Sequence, residues 1–138
     1  MKHNLSLLVI GCIALIPVGC GKSNDLLRTK GQVVKNGKPF APEKDENLQI
    51  ALIPISPDGK PPRNWYAAEV DPATGSFYAA GGEKKGVPQG KYRVMVELKK
   101  KKKDVLGGKF DALKSPFIVD IDQKSSPIMI DIENPPKT

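Results

Sequence analysis

Tyr92-Arg93-Val94-Met95-Val96-Glu97-Leu98 alternates without interruption, with Tyr92, Val94, Val96 and Leu98 on one side and Arg93, Met95 and Glu97 on the other. In an extended chain successive side chains point to opposite faces, so the stretch reads as a half-buried β-strand. Working outward, Phe117, Val119 and Ile121 alternate with Asp120 and Asp122, and Ile128, Ile130 and Ile132 alternate with Asp131 and Glu133. Residues 48–55 are apolar on both sides, which suits a central strand covered on both faces. Residues 31–35, 64–70 and 76–80 complete a set of about seven short strands, separated by Gly, Pro, Asn and Asp, and no helix is signalled. The expected fold class is all-β: one seven-stranded, two-sheet β-sandwich over residues 29–138.

The turns between these strands have their own chemistry. Asn36-Gly37, inside Lys35-Asn36-Gly37-Lys38-Pro39, supplies the positive φ angles that a two-residue hairpin needs. Asp71-Pro72-Ala73-Thr74-Gly75 combines a fixed φ at Pro72 with a glycine free to turn left-handed. In Pro88-Gln89-Gly90-Lys91-Tyr92 an aromatic follows its glycine directly, where the ring plugs the end of a sandwich and the hydroxyl reaches a backbone group.

Upstream of the strands the chain changes character. Lys2 and His3 precede an apolar stretch over residues 5–18, and Gly19-Cys20 closes it. This reads as an export signal. The ending Pro17-Val18-Gly19-Cys20 resembles the lipobox of bacterial lipoproteins, although Pro17 stands where an aliphatic residue is usual. That resemblance implies cleavage before Cys20 and a covalent diacylglycerol on its thiol. Val9-Ile10-Gly11-Cys12 fits the four-residue pattern better but leaves an apolar core too short for export. The apolar segment of about 14 residues also falls short of the roughly 20 that span a bilayer. The expected organisation is a signal peptide over residues 1–19, a lipidated cysteine and tether over 20–28, and the β-sandwich after it.

A chain starting at Cys20 has 119 residues, enough for one domain. Cys12 leaves with the signal and Cys20 is acylated, so no disulfide is expected and stability must come from packing. Loss of one lysine and no acid takes the formal charge from +7 to +6. Part of this excess is the run Lys99, Lys100, Lys101, Lys102 and Lys103. Adjacent like charges repel, so the run reads as solvated loop. It is either a soluble hairpin end or a handle for anionic lipid headgroups, acidic polysaccharide or another polyanion, at about 1 kcal/mol for each lysine near an anionic surface. Nucleic acid is a poorer partner, because no aromatics interleave with the lysines to stack on bases. Trp65 and Tyr66 follow the polar, proline-rich residues 56–64. If this segment is a strand, one of the pair faces away from the core and can stack on a sugar ring beside Arg63, with core packing as the default for Trp65.

Gly31-Gln32-Val33-Val34-Lys35-Asn36-Gly37-Lys38-Pro39, residues 71–77 and Gly86-Val87-Pro88-Gln89-Gly90-Lys91-Tyr92-Arg93-Val94, in this order behind a lipobox, resemble the bacterial lipoproteins with a carboxypeptidase-regulatory-like, transthyretin-like domain. The resemblance spans nearly all of residues 30–133, and Gly107-Gly108-Lys109-Phe110 and Ser115-Pro116 add to it. It implies a prealbumin-like β-sandwich and carries no catalytic residues to transfer. The lysine run is an elaboration that the resemblance does not account for.

Histidine catalysis is excluded in a chain that loses His3, its single histidine, and the thiol of Cys20 is blocked by lipid. Asp120, Asp122, Asp131 and Glu133 remain as conceivable paired acids, with a solvated strand face as the simpler account. Neither these acids nor residues 71–75 have the dense oxygen spacing of a calcium loop, so no metal is expected. The sequence therefore points to a membrane-anchored lipoprotein, a non-catalytic binding or structural module displayed at the cell envelope, with no cofactor beyond its lipid. The rivals are a small envelope hydrolase using Asp120 and Asp131, and a structural accessory subunit of an envelope complex.

Overall fold

The computed structural model describes residues 25–58, 62–124 and 127–137; the expected signal, Cys20 and residues 21–24 of the expected tether lie outside them. Among the described residues there is no helix, and eleven strands follow in chain order. They are β1 (Leu26–Leu27), β2 (Thr29–Lys35), β3 (Lys38–Pro39), β4 (Glu46–Pro54), β5 (Tyr66–Val70), β6 (Ser76–Ala79), β7 (Val87–Pro88), β8 (Gly90–Lys100), β9 (Lys103–Asp104), β10 (Ile118–Ile121) and β11 (Ile128–Asp131). The count exceeds the expected seven through four strands of two residues each.

The main strand order is β10-β8-β4-β5-β6-β2-β11, with β1 and β7 forming a separate ribbon. Pairing is antiparallel throughout except between β11 and β2, which run parallel. β8 is the longest strand, and β4 lies against it from Glu46 opposite Lys100 to Pro54 opposite Tyr92. β4 is central, as its two apolar faces require, because β5 pairs with its other edge. β5 joins the two halves, meeting β4 through Tyr66 and Ala67 and β6 from Ala68 onward. One apolar cluster draws on both halves, including Leu52, Val94 and Ile121 from one and Val33, Phe77 and Ile130 from the other. The result is a β-sandwich-like all-β domain.

Gly31 shows how closely a ring on one strand lies over its neighbour. It pairs with Phe77 across β2 and β6, and a Cβ added to it would lie 2.1 Å from the Phe77 ring. Only a residue without a side chain leaves room for that ring at this point.

Two expectations change at this level. The tether was placed through Arg28, yet Leu26 and Leu27 already pair with Pro88 and Val87, so the folded part starts earlier. The lysine run was placed in a loop, yet Lys99 and Lys100 end β8 and Lys103 begins β9. Backbone pairing with Asn47 and Glu46 carries the strand through both lysines despite their charge.

Beyond β9 the chain makes an excursion over residues 105–117 before β10. It continues the ladder on β8 irregularly, because Val96 donates its N–H to the Phe110 carbonyl at 3.0 Å and Val94 donates to the Phe117 carbonyl at 2.8 Å. Asp104 organises its start: Oδ1 accepts the N–H groups of Leu98 at 3.0 Å and Leu106 at 3.1 Å, and Oδ2 accepts that of Gly108 at 2.7 Å. Ser115, fully buried, donates its hydroxyl to the Val94 carbonyl.

Candidate functional site

Lys101 and Lys102 form the whole of a two-residue hairpin, since Lys100 and Lys103 pair on either side. Both adopt left-handed backbone, with φ of 48° and 69°. The same geometry occurs between β2 and β3, where Asn36 and Gly37 have φ of 51° and 73°. That turn uses the residue types that favour it. The lysine hairpin does not, and a left-handed residue with a Cβ costs about 1–2 kcal/mol. Asp104, gripping three N–H groups just after the turn, holds the strands that impose this conformation.

The five lysines consequently differ. Lys99 Nζ lies 2.9 Å from Glu97 Oε2. Lys100 Nζ lies 2.8 Å from Glu43, 3.2 Å from Asp45 and 3.9 Å from Glu46, and the hydrogen bonds it donates to Glu43 and then Asp45 raise its pKa well above the usual lysine range. Lys101, Lys102 and Lys103 are exposed at the tip. Of the five lysines expected as an electrostatic handle, three are exposed, and Lys99 and Lys100 are half-buried and paired with acids.

Trp65 is not in the core, contrary to the default expectation, and is 63% exposed. β5 starts one residue later, and its first residue, Tyr66, takes the inward side. The Tyr66 ring meets Tyr92 edge-on with centroids 6.0 Å apart, which removes it as a stacking platform. Tyr92 plugs the end of the sandwich as its position after Gly90 suggested: it is buried and donates its hydroxyl to the Pro88 carbonyl at 2.6 Å. Burial, with the neighbouring Tyr66, pushes its phenol up to about 12.

On the outward face of β4, β5 and β8, Trp65 stands between two grooves. One, about 380 Å³, lies over Ile53 and Met95 and is walled by Pro62 and Ala112. The other, about 460 Å³, runs past Ala51, Ala67 and Met95 to Asn47, Gln49 and Lys99. Its floor is low because Ala51 is flanked by Met95 on β8 and Ala67 on β5. Both volumes fall in the range of small-ligand sites, roughly 300–1,000 Å³. A third cleft of about 540 Å³ opens at the lysine end of the domain, with Phe40, Leu98, Leu106 and Phe110 among its walls and Lys35 and Glu133 at its rim, paired at 3.3 Å.

The acids expected as a possible hydrolytic pair have separate partners. Asp120 on β10 lies 3.9 Å from Lys91. Asp131 on β11 accepts the N–H groups of Glu133 at 3.0 Å and Asn134 at 3.2 Å, forming the chain's last turn. The two strands occupy opposite ends of the strand order. Asp122 accepts the N–H of Lys124 at 2.8 Å. Among the described residues no group of three or more His, Cys, Asp or Glu side chains is placed to hold a metal ion.

Sequence reasoning named Trp65 and the lysines but missed the groove between them, Asp104 and the end cleft. An aspartate just before Gly107-Gly108 was a local signal for Asp104. The grooves had none, because each is assembled from segments far apart in the chain. No protein family, curated protein or solved structure matches this chain.

Proposed function

We propose that the chain is an exported lipoprotein, held to a membrane by diacylglycerol on Cys20, whose domain is a prealbumin-like sandwich serving as a non-catalytic binding module at the cell envelope. Pro17-Val18-Gly19-Cys20 supports the anchor, and the polarity of the domain supports the choice of partner. The chain enters through β1, which pairs with β7 at the end where β8 begins. The lysine hairpin caps the other end of β8, ten residue steps away, or about 33 Å at the strand rise. Five residue steps from Cys20 to Asp25 reach at most about 18 Å. An anchored domain standing on its β1 end therefore holds Lys101, Lys102 and Lys103 away from its own bilayer, which favours a polyanion of the envelope over the headgroups of the anchoring membrane.

The test is the intact mass of the chain extracted with detergent from a membrane fraction, beside a Cys20→Ser variant. A diacylated chain beginning at Cys20, and a variant released from the membrane, are expected. An unmodified chain retaining Met1, or one cut elsewhere, refutes the anchor. The hydrolase rival would be favoured by an envelope activity that Asp120→Asn abolishes in a folded protein, and the accessory-subunit rival by stoichiometric co-purification with a partner and no bound glycan.

A further inference from the structure

We infer that the outward face from Trp65 to the lysine hairpin is a binding track for a linear acidic polysaccharide, laid along the strands. This deepens the binding-module reading and rests on it. Trp65 presents most of a large aromatic surface beside a shallow floor of Ala51, Ala67 and Met95, a form that accepts the flat apolar face of a sugar ring. The groove continues from there to Asn47 and Gln49, which stand two residues apart on one face of β4, about 7 Å along the strand. Their amides donate and accept hydrogen bonds, as a hydroxyl-rich chain requires.

Charge selects the ligand. Asn47 is opposite Lys99 in the register, and Lys101, Lys102 and Lys103 follow directly at the same end. Glu97, the acid on the floor, is already paired with Lys99, which reduces its repulsion of a carboxylate passing above it. The track thus runs from an aromatic platform through amides to unhindered cations, and a chain of uronic-acid units meets all three. A nucleic acid strand needs a series of stacking rings, and the chain has a single tryptophan.

That single tryptophan is also the reporter. The full chain is titrated with oligogalacturonate, with polyphosphate of matched charge and with neutral malto-oligosaccharide, following Trp65 emission and, for variants, calorimetry. Oligogalacturonate is expected to bind saturably and shift the emission, and to weaken about tenfold or more as added salt screens the exposed lysines. Trp65→Ala is expected to weaken it about tenfold and Trp65→Phe less, in line with the worth of one aromatic contact. Lys101→Gln/Lys102→Gln/Lys103→Gln is expected to weaken it and remove most of the salt dependence.

Equal affinity for polyphosphate, unchanged by Trp65→Ala, overturns the track and leaves a simple cationic handle, with the binding-module reading intact. Equal, salt-insensitive binding of malto-oligosaccharide overturns the acidic specificity. No binding of oligogalacturonate by a chain whose circular dichroism is that of folded β-protein overturns the inference outright, and the mass of the acylated chain then decides the anchor separately.

Discussion

Gly31→Ala should be among the most damaging conservative changes in this protein. The added Cβ would meet Phe77 Cζ at 2.1 Å and Cε1 and Cε2 at 2.5 Å. Carbon atoms rest at about 3.5–4.0 Å, so the ring must retreat by roughly 1.4 Å. Phe77 is 1% exposed and among the largest fully buried side chains, so it has nowhere to go without displacing its neighbours. Overpacking of this kind costs about 1–3 kcal/mol and sometimes more. A rigid ring seated directly on backbone places Gly31→Ala at the upper end, about 3 kcal/mol, a large share of the 5–15 kcal/mol available to a domain. At about 4 °C per kcal/mol for a domain near 100 residues, the thermal midpoint should drop by roughly 12 °C. Urea denaturation of the parent, Gly31→Ala, Phe77→Leu and the double variant completes a cycle. Because Leu yields the space that the Cβ needs, the double variant should be more stable than the sum of the single losses allows, by about 1–3 kcal/mol of coupling. A loss below about 1 kcal/mol for Gly31→Ala, or additive losses, would refute the argument that the Phe77 ring needs a residue without a side chain opposite it on β2.

Asp104→Ala leaves three backbone N–H groups without their acceptor and should cost about 2–4 kcal/mol in denaturant unfolding; a loss below about 1 kcal/mol would mean water replaces the carboxylate. Lys101→Asn/Lys102→Gly installs the residue types of the β2–β3 turn and should stabilise by about 1 kcal/mol, relief of left-handed strain exceeding the added flexibility of glycine; destabilisation would show that the turn conformation is not the one described. The carboxyls of Asp71, held by the Ala73 N–H and then the Thr74 hydroxyl, and Asp111, held by the Lys114 N–H and then that of Leu113, sit below the usual carboxylate value. Their ionised forms favour the fold, so this contribution is whole above about pH 5 and declines as the pH falls through 4 and below. Asp71→Asn should flatten part of that acid limb in thermal melts, and an unchanged limb would count against it. Tyr92 behaves in the opposite sense: its neutral phenol favours the fold, so stability should decline between about pH 10 and pH 12, and Tyr92→Phe should remove that decline at the expense of the bond to Pro88.

Which residues form strands was decided largely by the sequence itself. Alternation at period two sorts side chains to opposite faces locally, so Tyr92, Val94, Val96 and Leu98 face the core wherever β8 is placed, and an apolar β4 has to be central. The Asn36-Gly37 hairpin, the Asp71 turn and the Tyr92 plug were legible for the same reason, since each is a matter of φ angles and neighbours within five residues. The tertiary structure decided what depends on partners distant in the chain. Pairing with Glu46 and Asn47 carried β8 through Lys99 and Lys100, and acids from residues 43–46 neutralised Lys100. The start of β5 at Tyr66 turned Trp65 outward, and β4, β5 and β8 together built the groove beside it. Alternation and turn chemistry constrain register within a hairpin, but which distant strand lies alongside is decided only by long-range pairing.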